Sequence, residues 1–597
     1  MFDTRLFRCA LATLLLCGLA LPAAAQSFRV QCPTSTITHP VAANNNTEPA
    51  YTGPTVFASN NPATGYLTPT ANVNGAIKCQ QISGGDGYAT MADGTQTFMY
   101  SFGPLSGIAD IAAGLPGTEF PSVFNTVYSG ILLPGDPATT DSATDTGGYT
   151  LGNAVTLNPS SAGAASNTTG TPLVNPATFT FNGAIGLAPD QDCISGNADA
   201  AAQNAAGASP PVPLPCPGLP ANGLTGHVDP RQIEDVGVMN GNIPAPLMAI
   251  DEDDEFFLTL TNVGMIMRPD LFEQHTVHFH GYPNASSLYD GVPDASIAIN
   301  IGGSFTYYYL APDAGTYFWH CHITPPEHLQ MGMVGQIFVR PRQNRVPVGT
   351  SLYIALAEQN GVAPSTTVKD LRTVCNPGGD ILCSTNMPAV NTGVSQAVDP
   401  LTGQPYKYAY NDGDGSTAYD VEYPLQIHGF DPNFHFVGMT FNPEGFVDMK
   451  DKYFLLNGRS YPDTVNSSPQ LTQSSDGRAH FSQPLPSIIN IPAGGRALLR
   501  ISDLDVTEYQ TIASLGIPML EIAYNAKLLR DQAGNNLYFK TNSITLAGGE
   551  SLDVILDATD QTKYPKGSVF YLYTPNLDHL SNDAENFGGL MTEVHIL

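Results

Sequence analysis

Residues 319–333 read WHCHITPPEHLQMGM: three histidines, one cysteine and two methionines within fifteen positions. Upstream, residues 275–281 read HTVHFHG. Successive side chains of a β-strand point to opposite faces. As a strand, HTVHFHG puts His278 and His280 on one face and His275 on the other, with Val277 and Phe279. YFWHCHI, from Tyr317, likewise puts His320 and His322 together and Cys321 opposite. If the two strands are neighbours in a sandwich, two ligand groups form. His275 and Cys321 face the core; His278, His280, His320 and His322 face whatever packs outside.

The first group is completed by His328 and by Met333, with Met331 as the alternative thioether. Two imidazoles, one thiolate and one weak thioether describe a blue-copper electron-transfer site. The bland alternative is a Cys/His zinc site, which leaves the methionine and four other imidazoles unexplained. Cys321 lies between His320 and His322, so an electron reaching a metal on its sulfur is one residue from a metal held by its neighbours.

Working outward, short β-rich runs at close spacing flank the motifs: DEDDEFFLTLTNVG from Asp251, GGSFTYYYL from Gly302 and GMVGQIFVRP from Gly332. With Gly/Pro turns between them they predict an antiparallel sandwich over 236–342. The acidic run Asp251–Glu255 reads as a solvated turn. A second β-rich series spans 350–597, beginning SLYIALAEQ and including KYFLLNGRSYPDT and SIINIPAGGRALLRISDL. MNGNIPAP (239–246) and LNGRSYPDT (456–464) share a template, so the two series read as an internal repeat. The fold class is all-β: two β-sandwich domains preceded by an N-terminal β/loop extension, 26–235. That extension holds a long low-complexity insertion rich in Ala, Gly, Ser, Thr, Asn and Pro.

Residues 1–25 read as a secretory signal peptide. Arg5 and Arg8 precede an apolar run, and Ala23-Ala24-Ala25 offers a cleavage site. This implies a periplasmic or secreted protein, and no later run is long enough for a membrane span. Removing it leaves seven cysteines, an odd number. The expectation is Cys32 with Cys79, Cys193 with Cys216 and Cys375 with Cys383, leaving Cys321 free. The 597 residues carry 23 basic and 53 acidic side chains, a formal charge of −30. That argues against a nucleic-acid partner, which calls for a basic face. The 58 glycines and 49 prolines, roughly 18% together, exceed the usual ~12% and favour turns and short strands.

At these motifs the sequence resembles the multicopper oxidase family of the cupredoxin superfamily. HTVHFHG resembles its His-x-x-His-x-His motif and YFWHCH its His-Cys-His motif. LNGRSYPDT and AGGRALLRI resemble another domain of the same family. The resemblance covers about 236–597 and implies two Greek-key cupredoxin domains. It implies His275, Cys321, His328 and Met333 as type 1 copper ligands, and His278, His280, His320 and His322 as type 2 and type 3 ligands. Several copper ions would then take single electrons from a small reducing substrate or metal ion and pass them to dioxygen, as in laccases. Two departures stand out. ITPPE lengthens the usual Cys-to-His gap. A trinuclear cluster takes eight histidines, and the second domain has no His-x-His pair. The chain then supplies half a cluster, or closes it across a subunit boundary. The runner-up is a copper nitrite reductase, a trimer in which His579 would be the cross-subunit ligand. A non-enzymatic blue-copper carrier is the third reading. His39, His227, His428, His435 and His480 read as ordinary surface or core histidines, and His595 as structural.

Overall fold

The computed structural model describes most of 36–104, residues 200–213 and most of 242–597, with 283–285, 375–394, 441–444 and 474–478 among the stretches outside it. The expected signal peptide, most of the low-complexity insertion, and Cys32, Cys193, Cys216, Cys375 and Cys383 lie outside the described residues. Among those described, Cys79 is disulfide-bonded and Cys321 is a free, buried thiol.

Two four-stranded sheets form the first sandwich. One runs Gln96–Pro104, Ile77–Thr90, Glu255–Gly264, Ser304–Leu310. The other runs Met248–Asp251, Val334–Arg340, Gly315–His320, His278–Phe279. Ile82, Phe98, Phe102, Leu258, Leu260, Trp319 and Ile337 belong to the one core between them. Residues 77–104, read from sequence as part of an N-terminal extension, therefore supply two strands of this sheet. Strand 77–90 pairs in parallel with 255–264. A parallel pair needs a crossover and carries no hairpin turn between its strands, so nothing local in the sequence marks it.

The second sandwich sets a seven-stranded sheet, which includes Val421–Phe430, Arg496–Asp503, Ser551–Asp557 and Met519–Tyr524, against a five-stranded one. The latter runs Ile489–Ile491, Met591–Ile596, Val569–Tyr573, Gln510–Leu515, Ser543–Leu546. The internal repeat is visible in the pairing. Parallel pairs 77–90 with 255–264 and 248–251 with 334–340 recur as 421–430 with 496–503 and 489–491 with 591–596.

Two local expectations fail for physical reasons. SLYIALAEQ is not a strand; Leu352–Gln359 is a helix. Tyr353 and Ala357, four apart and both buried, share a helical face, and the Ser351 hydroxyl accepts from Ile354 N at 3.4 Å. The run 251–255 is not solvated: Asp251, Glu252, Asp254 and Glu255 are buried. Their acceptors are satisfied instead. Asp253 pairs with Arg342 and Arg345, Glu252 accepts from Asn411 Nδ2 at 2.8 Å, and Asp254 accepts from the backbone N–H of Ala76 at 2.8 Å. Among the described residues no helix is long and apolar enough to cross a membrane.

The copper-motif sheet packs on the larger sheet of the second sandwich through buried polar contacts. Thr316 Oγ1 donates to Asp553 at 2.6 Å, and Gln336 Nε2 donates to the Arg500 carbonyl at 3.0 Å. Glu422 holds Arg340 of the first sandwich at 2.7 Å and Arg500 of the second at 3.1 Å. Burial opposes the Glu422 charge, but the two guanidiniums outweigh it and bring its pKa down from 4.5 to about 2. A depressed carboxylate pKa stabilises the fold above the unfolded value, and that contribution fades as pH falls from about 4.5 towards 2. Glu422→Gln removes the carboxylate shared by the buried Arg500 and the part-exposed Arg340. It should cost about 3–5 kcal/mol, measured by denaturant unfolding at pH 7, with the gap to the native protein closing as the pH is lowered through that window.

Candidate metal centre

Strand 278–279 pairs antiparallel with strand 315–320, placing His278 opposite His320 and Phe279 opposite Trp319. Alternation then does the sorting that the sequence implies. Cys321 is fully buried and belongs to the sandwich core. Its Sγ lies 3.3 Å from His328 Nδ1 and accepts from the backbone N–H of Thr276 at 3.4 Å. One ligand atom from each of His275, Cys321 and His328 lies within 4.8 Å of the others, all buried.

Both ring nitrogens of His275 are buried and have no hydrogen-bond partner among the described residues. An orphaned buried imidazole is costly, so these residues fit a metal ion. Gly84 leaves the ring its space: a Cβ there would come 2.6 Å from His275 Cδ2. Val334 pairs with His320 and Cys321 N donates to the Met333 carbonyl at 3.1 Å. Met333 thus stands across from Cys321, and cross-strand partners share a face. The Met331 methyl instead approaches Gly438, whose Cβ position is 3.4 Å away. Burial drives the His275 pKa well down, leaving its lone pair free. Burial also opposes a charge on His328, but Cys321 and Glu273 outweigh it and raise that group to about 10.

The insertion that lengthens the Cys-to-His spacing is a short helix, Pro325–Gln330. Its C-terminal carbonyls are held by the second sandwich. His428 Nε2 donates to the Leu329 carbonyl at 2.8 Å, and the His435 ring sits between the Gln330 and Phe98 carbonyls, at 2.8 and 2.5 Å. Gln330 Nε2 donates to Asp451 at 2.9 Å.

On the opposite face His278, His280, His320 and His322 gather with ring centroids about 5 Å apart: 4.9 Å for His278–His322 and 5.0 Å for His280–His320. Backbone carbonyls fix three of them. His278 Nδ1 donates to Asp290 O at 2.7 Å and His320 Nδ1 to Cys321 O at 2.7 Å, while His280 bonds the Gly549 backbone. Bonding at one ring nitrogen turns the other toward a ligand and sets the tautomer. Nε2 of His280 and of His320 stand 3.0 Å apart, and one ligand atom from each of His278, His280 and His320 lies within 4.8 Å of the others. Burial lowers the pKa of all three, to about 4 for His280. These carbonyl partners have no side-chain signature, so the sequence gives no sign of Asp290 or Gly549.

A cavity of about 440 Å³ lies beside His280, walled by Pro325 and Leu329 on one side and by Asp505, Glu508 and Gly548 of the second sandwich on the other. His579 is not in the cluster. Its Nδ1 faces Gln510 Oε1 at 3.1 Å, its Nε2 faces Asn576 at 2.9 Å and Glu508 at 3.3 Å, and its ring stacks on Phe454 at 3.7 Å. His595 pairs with Glu593 at 2.7 Å. Within the described residues, therefore, the second sandwich brings no imidazole to the four.

Residues 225–344 match the family described as multicopper oxidase. That segment is similar to the multicopper oxidase family. Members of that family bind several copper ions. The chain is 34% identical to laccase abr2 of Aspergillus fumigatus over 109 residues, 18% of this chain and 17% of the laccase. It is 35% identical to a copper-containing nitrite reductase of Rhizobium meliloti over 109 residues, 17% of this chain and 26% of the reductase. The blue copper oxidase of Nitrosomonas europaea aligns with 60% of this chain and 78% of its own, at 20% identity and TM-score 0.37. The chain thus matches the two curated relatives over well under two thirds of their length.

Proposed function

We propose that this protein is a copper-dependent oxidase that takes single electrons at a type 1 copper and passes them to dioxygen. The orphaned imidazole of His275 beside Cys321 and His328 carries the reading. His275, Cys321 and His328 would hold the ion, with Met333 as the weak fourth ligand, and copper there would supply one-electron redox chemistry. His278, His280, His320 and His322 would hold the copper at which dioxygen is reduced. Each donor supplies one electron, and one dioxygen takes four electrons and four protons to give two waters.

The chain's own part is geometric. The sandwich core shuts water from Cys321. The backbone from Cys321 to its neighbours on either side joins the two faces in three residues, so electron entry and oxygen reduction share a covalent path. The Asp290, Cys321 and Gly549 backbones keep the cluster rings oriented, which avoids reorganisation at each turnover. We also infer export, supported by the Cys79 disulfide, since disulfides persist in oxidising compartments.

The test is copper analysis with electron paramagnetic resonance, alongside oxygen uptake with phenols and with reduced metal ions. More than one copper per chain, a blue signal and donor-dependent oxygen uptake are expected. A lone zinc ion, or nitrite-dependent nitric oxide release without oxygen uptake, sinks the reading.

A further inference from the structure

The outer nitrogen of His328 raises a separate question. His328 Nδ1 faces the sulfur of Cys321 at 3.3 Å, so Nε2 points away from the centre. That Nε2 is buried and has no hydrogen-bond partner among the described residues, but Glu273 Oε2 stands 3.4 Å from it, an ion-pair separation slightly longer than a mature charge-assisted bond. The imidazole is fully buried, while the Glu273 side chain is 28% exposed. The Glu273 backbone is fixed in place. Asn262, itself buried, donates through Nδ2 to the Glu273 carbonyl at 2.7 Å and to the Ile299 carbonyl at 2.9 Å. Its Oδ1 accepts from Gly264 N at 2.9 Å. Ile299 in turn exchanges both backbone bonds with His275. One buried amide thus ties the Glu273 backbone to the backbone of the other ligand strand.

We propose that Glu273 is a positioning residue for the type 1 centre: a carboxylate that orients the His328 ring through its outer nitrogen and lowers the reduction potential of copper bound at Cys321. This rests on the type 1 reading above. A carboxylate on the far side of a ligating imidazole makes it a stronger donor. Its negative charge also stabilises the oxidised, more positive ion over the reduced one. The carboxylate borders the His275, Cys321 and His328 group and not the histidines on the opposite face.

The experiment titrates the blue absorption of copper-loaded native protein, Glu273→Gln and Glu273→Ala against a redox mediator. Glu273→Gln keeps the shape and drops the charge. At a fixed mediator poise it should shift the balance about tenfold toward the reduced centre, the lower end of what outer-shell partners contribute. Glu273→Ala should do at least as much, with altered copper hyperfine coupling in both. Glu273→Asp should recover part of the shift. Unchanged thermal unfolding of the metal-free variants separates this from a folding defect. Native-like potentials in both Gln and Ala variants overturn the proposal while the type 1 reading stands. A native protein that forms no blue centre overturns both.

Discussion

Cys321→Ser is expected to abolish the visible absorption of the copper-loaded protein and to lower donor-coupled oxygen uptake by roughly a thousandfold, about 4 kcal/mol in barrier. Serine is nearly the same size, and the position is fully buried in the sandwich core, so the fold should survive. What disappears is the soft donor. A hydroxyl cannot replace a thiolate in selecting copper or in delocalising an electron onto the ligand. The four imidazoles on the other face are untouched and should retain copper, so metal analysis should show a partial loss. A variant that remained blue, or kept native turnover, would mean that electrons enter elsewhere.

His278→Ala should do the reverse. His278 sits between the two strands' contributions, with ring centroids 5.3 Å from His280, 5.4 Å from His320 and 4.9 Å from His322. Its removal opens the cluster at its centre and leaves the Asp290 carbonyl without its donor. Oxygen uptake should fall at least about a hundredfold, while the blue absorption, set by residues on the other face, stays. Rapid mixing distinguishes the steps: a donor should bleach the blue band at the native rate, and oxygen should then fail to restore it. Loss of the colour as well would show that the two faces are not independent.

The site was legible because alternation is a strong local rule. Given that 278–279 and 315–320 are strands, the pleat alone separates Cys321 from His320 and His322, and the structure keeps that separation. Choosing between the two methionines needed more: Met331 and Met333 both fit by spacing, and only the pairing of Val334 with His320 puts Met333 across from Cys321. The fold was legible where strands are bounded by marked turns, as in 489–503. It was opaque at Ile77–Thr90. There Gly84, Gly85 and Gly87 dilute the pattern, and the parallel partner lies beyond the low-complexity insertion. It was misleading at Asp251–Glu255, where five consecutive acids look solvated until Arg342 and Arg345, far along the chain, fold back over them. The roles of His428 and His435 were also invisible, because a histidine that bonds a distant carbonyl looks no different from any other core histidine.

Those two side chains have an energetic corollary. The turn carrying His328 takes its shape from a neighbouring body, so whatever holds the bodies together also shapes the surroundings of Cys321. Excised by itself, the first sandwich would keep every sulfur and nitrogen donor yet lose the mould in which they set. Conversely, an ion seated among them should tighten the grip of one half on the other, since anything that binds the native arrangement alone shifts the folding balance toward it.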